Sequence, residues 1–214
     1  MLVVSTIAHG NMHPNLEPHD PALAQANYEA FCQEQGLTDS ELIGLRVDPA
    51  WEHGDTLADL VANPSLLQGI TPNNVSPNLR LMADGVVLPA TSGAFVLSAD
   101  CFPVSLEGKE VSALCHINRK AMRDGLLQKT VRAILEYEPA SNLEIHIGPG
   151  TNQSPRIATH IMGLLHEHSL LDRVVSIDPR VTCGSAELYS RQETLAGGTK
   201  PRGNHAIIMP PKSA

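Results

Sequence analysis

Aromatic residues are scarce in the sequence, at 3% of the chain, and acidic residues outnumber basic ones, which gives a formal net charge of −8 at pH 7. Base stacking needs aromatic rings and phosphate tracking needs a basic surface, so nucleic acid is not an expected partner. No stretch reaches the roughly 18 apolar residues of a membrane helix, and the first residues lack the basic flank and apolar run of a signal peptide. We therefore expect no membrane partner and predict a cytoplasmic protein.

Cysteine is also sparse, and its spacing is irregular. The four cysteines form no CxxC pair, which argues against a disulfide framework and favours thiols that are kept reduced. Histidine, in contrast, occurs ten times. Because histidine is both an acid–base group near neutral pH and a common metal ligand, this enrichment suggests site chemistry without choosing between the two roles.

The sequence does contain enough apolar residues for one substantial core. They make up 42% of the 214 residues, which is short for two cores, so we expect a single domain over 1–214. Capping residues and helical spacing predict helices over 20–35, 122–137 and 155–169. Short apolar runs predict strands over 42–47, 85–88, 94–98, 110–116, 143–147, 174–177 and 205–209, the second to fourth of them in one sheet. This mixture predicts an α/β or α+β fold, a mixed β-sheet sandwich flanked by helices.

Residue types that bind metals follow or close two of the predicted strands. Asp100 and Cys101 follow the strand over 94–98, and His116 closes the strand over 110–116. A thiolate and an imidazole are ligands that zinc and copper prefer, and a catalytic zinc site has three protein ligands and one open position. The third ligand must then come from elsewhere in the chain. Taken alone, the pair favours a simpler interpretation, in which Cys101 is an inert buried thiol and His116 a hydrogen-bonded core residue.

Short motifs around this pair and along the chain change that interpretation. They comprise Ala99, Asp100, Cys101, Phe102, Pro103, His116, Gly125, Lys129, Thr130, Val131, Ile147, Gly148, Pro149, Tyr189, Ser190 and Arg191, with Ser5, Thr6, Asn15, Leu16, Asp20 and Asn27 in the opening segment. Together they resemble the laccase-domain family, also called polyphenol oxidases or purine nucleoside phosphorylase-like proteins, one branch of which is described as a peptidoglycan editing factor. The resemblance covers nearly the whole chain, as in a short and divergent member.

The resemblance implies a zinc site, with copper as the alternative metal, held by Cys101, His116 and a further histidine. His53 is the best match for that histidine. It also implies purine nucleosides as substrates, which water would deaminate or phosphate would cleave. Asp100 would orient a ligand or move a proton.

Substrate binding is predicted at positions around this pair. Gly148 would contribute the backbone amides of a turn, which can cradle an anion. Arg191 would bind an anionic or polar group of the substrate.

The chain departs from the family pattern where substrate is expected to bind. After His116 the family has Ala-Gly-Trp-Arg-Gly, whereas this chain has Ile-Asn-Arg-Lys-Ala. Ile7 stands where the opening segment of the family usually has an arginine, so an anion-binding arginine is missing there. Its predicted substitutes are Arg119, Lys120 and Arg191. Phosphorolysis is the activity that these departures weaken most.

Three other functions stay open. Cys101 as nucleophile and His116 as base would make a cysteine hydrolase that needs no metal. Copper held by the same residues would oxidise phenols, although one three-ligand site lacks the several coppers that reduce oxygen to water. The loss of the Trp-Arg-Gly segment would also fit a degenerate member that keeps the fold as a binding module.

Several remaining histidines are expected at the surface. His9 and His13 lie in a segment whose glycine and proline disfavour a helix, and they are spare ligand candidates only. His166 and His168 point about 200° apart on the predicted helix, so they cannot chelate one ion together.

Overall fold

Two β-sheets pack face to face between layers of helices. This computed structural model describes residues 1–14, 20–38, 40–46, 56–151, 155–183, 185–190, 197 and 203–212. Among these residues, no helix is both long and apolar enough to cross a membrane.

The first sheet has five strands in the described part of the chain. Their spatial order is β1 (Val3–Val4), β11 (His205–Met209), β6 (Gly93–Ser98), β2 (Leu42–Arg46) and β4 (Leu81–Met82). β11 is antiparallel to β1 and β6, whereas β2 is parallel to β6 and β4. Because parallel strands end on the same side, Arg46 at the end of β2 and Ser98 at the end of β6 lie at one edge of this sheet.

The second sheet has six described strands. Their order is β10 (Val174–Ile177), β9 (Glu144–Ile147), β7 (Phe102–Glu107), β8 (Val111–Ile117), β5 (Gly85–Pro89) and β3 (Leu57–Asp59). β7 is antiparallel to both of its neighbours, β8 and β9. Every residue of β8 is buried, which explains why its sequence is mostly apolar on both faces rather than alternating between apolar and polar residues.

Helices cover the outer face of each sheet. α1 (Pro21–Glu34) packs Tyr28 and Phe31 against Phe95 of the five-stranded sheet. α2 (Arg119–Arg123), α3 (Leu126–Tyr137) and α4 (Pro155–Glu167) pack on the six-stranded sheet. A third apolar cluster, which includes Val96 and Leu114, lies between the sheets. The predicted mixed α/β sandwich flanked by helices is therefore confirmed.

The ends of α1 follow from its sequence. The Asp20 side chain accepts a hydrogen bond from the Leu23 amide at 2.9 Å, and Pro21 occupies the first turn, where no amide donor is needed. Gly36 has a φ of +69°, a conformation that stops a helix at little cost for glycine alone. Short 3₁₀ helices connect other elements at Ile7–His9, Pro64–Leu67, Pro77–Leu79, Ala140–Asn142 and Leu171–Arg173.

Two predictions about these elements are wrong. The strands predicted together over 85–116 do not share a sheet, because β6 lies in the five-stranded sheet while β5 and β8 lie in the six-stranded one. All three are buried on both faces, so their apolar runs carry no signal that assigns them to a sheet. The helix predicted over 122–137 is two helices, which separate at Gly125 in the left-handed conformation with a φ of +80°.

The central strand β7 is missing from the sequence prediction. Pro103, its second residue, weighs against a strand because proline cannot donate to a neighbour. The structure accommodates it at the start of the strand, where pairing with β9 begins only at Val104. The residues that carry the predicted site thus open a buried strand instead of a loop.

Candidate functional site

Cys101 and His116 lie at the same end of the six-stranded sheet. Cys101 directly precedes β7, and His116 is the last residue but one of β8. The antiparallel register places Pro103 opposite His116, so Cys101 is two residues from the residue that faces the histidine. In a regular antiparallel sheet, diagonal neighbours of this kind are about 7–8 Å apart. The register therefore brings the two predicted metal ligands to one end of the sheet.

The side chain of His116 is buried, with 4% of the residue exposed. Its Nδ1 has no hydrogen-bond partner within the described part of the chain. Its backbone amide donates to the carbonyl of Asp84 at 2.9 Å, which fixes the end of β8. Burial lowers the pKa of His116 to about 4, so the ring is neutral near pH 7, and a neutral imidazole is the form that binds a metal.

The four thiols fall into two groups. Cys32 and Cys115 are buried and burial raises the pKa of both thiols, that of Cys115 to about 12, so they are poor nucleophiles and ligands. Cys101 and Cys183 are half-buried. The simpler interpretation had Cys101 as a buried thiol and His116 as a hydrogen-bonded core residue, whereas Cys101 is half-buried and Nδ1 of His116 has no hydrogen-bond partner among the described residues.

The carboxylate of Asp100 is held in place by two hydroxyl groups. Thr182 Oγ1 donates to Asp100 Oδ1 at 2.8 Å, and Ser190 Oγ donates to the same oxygen at 2.9 Å. The carbonyl of Asp100 accepts from the amide of Thr151 at 3.1 Å. These bonds tie three separate segments to the residue that precedes Cys101, so the backbone there is fixed by long-range contacts.

Cys183 belongs to this hydroxyl cluster but is not among the predicted site residues. Its sulfur lies 3.1 Å from Ser190 Oγ and 3.5 Å from Thr151 Oγ1. Chain order gives no hint of this proximity, since Cys183 stands far from Asp100 in sequence. The nearby Tyr189–Ser190 motif was the one signal that this part of the chain returns to the site.

His205 lies beside the same cluster. In β11 it pairs with Ser98, two residues before Asp100. Its ring centroid is 5.0 Å from that of Tyr189, and its Nε2 accepts a hydrogen bond from the Tyr189 amide. The late strand β11 thus adds a buried imidazole that the sequence pattern did not associate with the site.

The turn that begins at Gly148 packs against the residues that open β7. The Gly148 amide donates to the carbonyl of Pro103 at 2.9 Å. A Cβ at Gly148 would lie 2.5 Å from Pro103 Cγ, and a Cβ at Gly150 would lie 2.4 Å from the ring of Phe102. The two glycines are therefore needed for close packing, and the role of Gly148 in substrate binding stays a prediction.

The region that carries this arrangement of residues matches a known protein family. The family described as "Multi-copper polyphenol oxidoreductase laccase" matches residues 5–156, well over half of the chain. The chain belongs to this laccase-domain family. The matched region includes Asp100, Cys101 and His116, and it confirms the resemblance that the sequence motifs predicted.

Solved structures show the same fold. The laccase-domain chain is similar to YlmD from Geobacillus stearothermophilus, with a TM-score of 0.70 and 14% identity over 99% of this chain and 92% of that one. It is similar to the hypothetical protein YfiH from Bacillus licheniformis, with a TM-score of 0.69 and 13% identity over 94% and 85% of the two chains. A Neisseria meningitidis protein gives a TM-score of 0.61 and 16% identity over 94% and 86%. No curated protein matches the sequence.

The other predicted site residues of this laccase-domain chain have different outcomes. Arg119 and Lys120 open α2 directly after β8, where the Asn118 side chain accepts from the amides of Lys120 and Ala121 at 2.8 Å. They therefore stand near the same end of β8 as His116. His53 and Arg191 lie outside the described residues.

The described residues supply two of the three predicted metal ligands. Within them, no group of three or more His, Cys, Asp or Glu side chains is arranged to hold a metal ion. The three-ligand set of Cys101, His116 and His53 therefore stays a prediction. Elsewhere, His166 is exposed as expected, whereas His9, His13 and His168 are half-buried.

Proposed function

We propose that this laccase-domain protein is a metal-dependent enzyme that acts on purine nucleosides, with zinc held by Cys101, His116 and His53. One observation carries the proposal: the buried His116 has no hydrogen-bond partner for Nδ1 among the described residues, at the same end of the six-stranded sheet as Cys101. A buried polar atom without a partner is costly, and a bound metal ion would satisfy it.

The residues present fit a transition metal. A cysteine thiolate and histidine nitrogens are the ligand set that zinc uses in sites that keep one position open. Cys101 is half-buried, unlike the fully buried Cys115. The same ligand types also suit copper, which the family description mentions, so copper is the alternative metal.

Zinc in such a site supplies the activation of water at neutral pH. For an adenosine-type substrate, addition of water at the amino-bearing purine carbon and loss of ammonia would give the deaminated nucleoside. Phosphate in place of water, attacking C1′ of the ribose, would break the glycosidic bond and give the sugar 1-phosphate and the free purine base. Arg119, Lys120 and Arg191 are the proposed contacts for the anionic or polar groups of these reactants.

Asp100 has two proposed tasks. Its carboxylate is fixed by the hydroxyls of Thr182 and Ser190, so it holds the backbone of Cys101 in one orientation. The same carboxylate could accept a proton from an incoming nucleophile and return it to a leaving group. The first task is positional, and the second requires the carboxylate to reach the substrate.

The test is metal content per chain, measured by mass spectrometry on tag-free protein. We expect about one zinc per chain in the wild type, by the three-ligand logic of catalytic sites, and loss of that zinc in Cys101→Ala, His116→Ala and His53→Ala. Cys115→Ala is the matched control. This thiol is fully buried in the apolar cluster on the helix-covered face of the sheet, so its loss should leave the metal in place.

Turnover of adenosine and inosine then separates the remaining functions. Zinc content with nucleoside turnover supports the proposal, whereas copper with phenol oxidation assigns the oxidase alternative. Turnover that survives a chelator but not alkylation of Cys101 would identify the metal-free hydrolase. Absence of both metal and turnover would leave the degenerate binding module.

A further inference from the structure

Arg80 is a buried arginine in the connection that leads into β4. The residue is 8% exposed, and its Nη1 donates to the carbonyl of Leu45 at 3.0 Å. Its Nε is fully buried and has no hydrogen-bond partner among the described residues. A guanidinium carries five N–H donors, so one backbone bond leaves most of its capacity unused.

No carboxylate in the described part of the chain forms an ion pair with Arg80. Arg80 interacts electrostatically with Arg46 and with His13, and each interaction lowers a pKa as expected between positive charges. Neither group compensates the positive charge of Arg80. Burial, with a smaller contribution from Arg46, lowers the pKa of Arg80 to about 10, so the side chain is still protonated near pH 7. Buried charges in proteins are otherwise paired, because an unpaired one is costly.

The fold makes room for this side chain. Gly44 lies in the middle of β2, and a Cβ there would be 2.7 Å from Arg80 Cγ and 2.6 Å from the ring of Phe95. The glycine therefore lets the stem of Arg80 lie against the sheet. A specific packing arrangement of this kind indicates that the buried position of Arg80 is part of the fold.

Arg46 and His13 are the two groups that interact electrostatically with the guanidinium of Arg80. Arg46 closes β2 and donates from Nη1 to the carbonyl of Pro77 at 3.3 Å, with Asn78 Oδ1 at 3.5 Å. His13 is half-buried, and its pKa is lowered to about 4 by burial first and then by Arg80. Neither group adds a negative charge next to Arg80.

Two segments connect these residues with the strands that lead to the candidate metal site. β2 and β6 are parallel, so Arg46 and Ser98 lie at the same edge of the five-stranded sheet, and Ser98 leads directly to Asp100. Arg80 is four residues before Asp84, whose carbonyl accepts from the His116 amide.

We propose that Arg80, assisted by Arg46, binds a small oxyanion, either a phosphate group or a carboxylate. Planar guanidinium groups recognise both through paired hydrogen bonds. The proposal does not depend on the metal chemistry, because the burial and missing counter-charge of Arg80 involve neither Cys101 nor His116.

The test uses the full chain and inorganic phosphate, with sodium chloride adjusted to keep ionic strength constant. We expect the melting temperature to rise with phosphate and to saturate, and isothermal titration calorimetry to give one site per chain. Acetate and sulfate, tested in the same way, separate a carboxylate ligand from a phosphate-like one. Either response supports the oxyanion site, and no response to any of the three would overturn it.

Arg80→Met is the decisive variant, because methionine has a similar stem and no charge. We expect its phosphate affinity to fall about tenfold or more, the usual size of a lost charge-assisted hydrogen bond. Without phosphate, its melting temperature should equal or exceed that of the wild type, since an unpaired buried charge has been removed. An arginine that merely stabilises the fold would show the opposite, a lower melting temperature and an unchanged phosphate response.

Two controls complete the experiment. Arg123→Met removes an arginine whose side chain is 72% exposed, and it should leave the phosphate response unchanged. Cys101→Ala should also keep that response, so failure of the metal site and failure of the oxyanion site can be told apart. A response that survives in Arg80→Met contradicts the inference.

Discussion

The six-stranded sheet has a buried histidine on each of the two strands that flank β7, and the two histidines have different surroundings. His116 on β8 faces Pro103 near the start of β7, and its Nδ1 has no partner among the described residues. His146 on β9 faces Ser105 further along β7. Its Nδ1 lies 2.8 Å from Ser176 Oγ, and its Nε2 is 3.7 Å from a carboxylate oxygen of Glu107.

The difference separates a structural histidine from a ligand candidate. The ring of His146 has a polar group near each nitrogen: Ser176 Oγ lies within hydrogen-bond distance of Nδ1, and the Glu107 carboxylate, which also accepts from Ser105 at 2.8 Å, lies 3.7 Å from Nε2. Each of the two buried rings has one nitrogen that makes no hydrogen bond among the described residues, Nε2 in His146 and Nδ1 in His116. Only His146 has a carboxylate beside that nitrogen in the described part of the chain, so we expect His146 to be structural and His116 to be the ligand candidate.

The largest expected effect distinguishes the roles of His116 and His146. His116→Asn should remove the bound metal and reduce nucleoside turnover below detection, because a ligand is lost. His146→Asn should keep the metal and the turnover per folded molecule. Metal analysis and activity assays on both variants check this, and equal metal loss in the two would show that His146 also supports the site.

A large effect on stability is expected at Glu107, beside His146. The Glu107 side chain is 5% exposed, and it accepts hydrogen bonds from Ser105 and from the amino group of Met1. Glu107→Ala should lower the free energy of unfolding by about 3 kcal/mol, because it removes hydrogen bonds to a charged acceptor that are worth about 1.5–3 kcal/mol each. Urea denaturation measures the change. Glu110→Ala is the control, at an exposed position in the connection between β7 and β8, and it should change stability by less than about 0.5 kcal/mol.

A third prediction concerns the stability of the protein in acid, which depends on the buried His205 beside the Asp100 cluster. The pKa of His205 is lowered to about 4, first by burial and also by Arg180, while the backbones of Tyr189 and Ser5 and the carboxylate of Asp100 act in the opposite direction. The folded state thus binds a proton less readily than the unfolded state. The contribution is fully present above about pH 6.5 and is lost as the pH falls towards 4, by up to about 3 kcal/mol.

The measurement is the free energy of unfolding between pH 7.5 and 4 for the wild type and His205→Gln. The variant should be less stable at neutral pH but should show a flatter dependence over that window. His166→Gln, at an exposed position, serves as the control with an unchanged slope. An identical slope in His205→Gln and the wild type would show that other groups govern the acid transition.

Much of the fold could be predicted from local signals, whereas the sheet assignments could not. The Asp20–Pro21 start of α1 and the late strand β11 are encoded by caps and short apolar runs. β5, β6 and β8 are buried on both faces, and periodicity cannot tell which sheet such strands join. Gly125 splits one amphipathic pattern into two helices, because the pattern continues through a backbone turn.

The site was predicted where a compact motif carries it and missed where tertiary contacts build it. Cys101 and His116 come from motifs, and the register of β7 and β8 brings them to one end of the sheet. Cys183 and Arg80 have no motif, and their surroundings depend on segments distant in sequence. Only the fold shows that Cys183 contacts a hydroxyl near Asp100 or that Arg80 is buried without a counter-charge.

The smallest expected effect tests whether Asp100 positions the site. Ser190→Ala removes one of the two hydroxyls that hold the Asp100 carboxylate, and Thr182→Ala removes the other. Each should cost about 1 kcal/mol of folding stability, the typical net value of a hydrogen bond. Each should also weaken zinc binding by roughly tenfold, as loss of a supporting hydrogen bond does in metal sites. Competition with a zinc-sensitive dye measures the affinity, and Ser65→Ala, at an exposed hydroxyl in a distant turn, is the matched control. If the double variant binds zinc as tightly as the wild type, the carboxylate does not position Cys101, and its place beside the thiol has a purely structural origin.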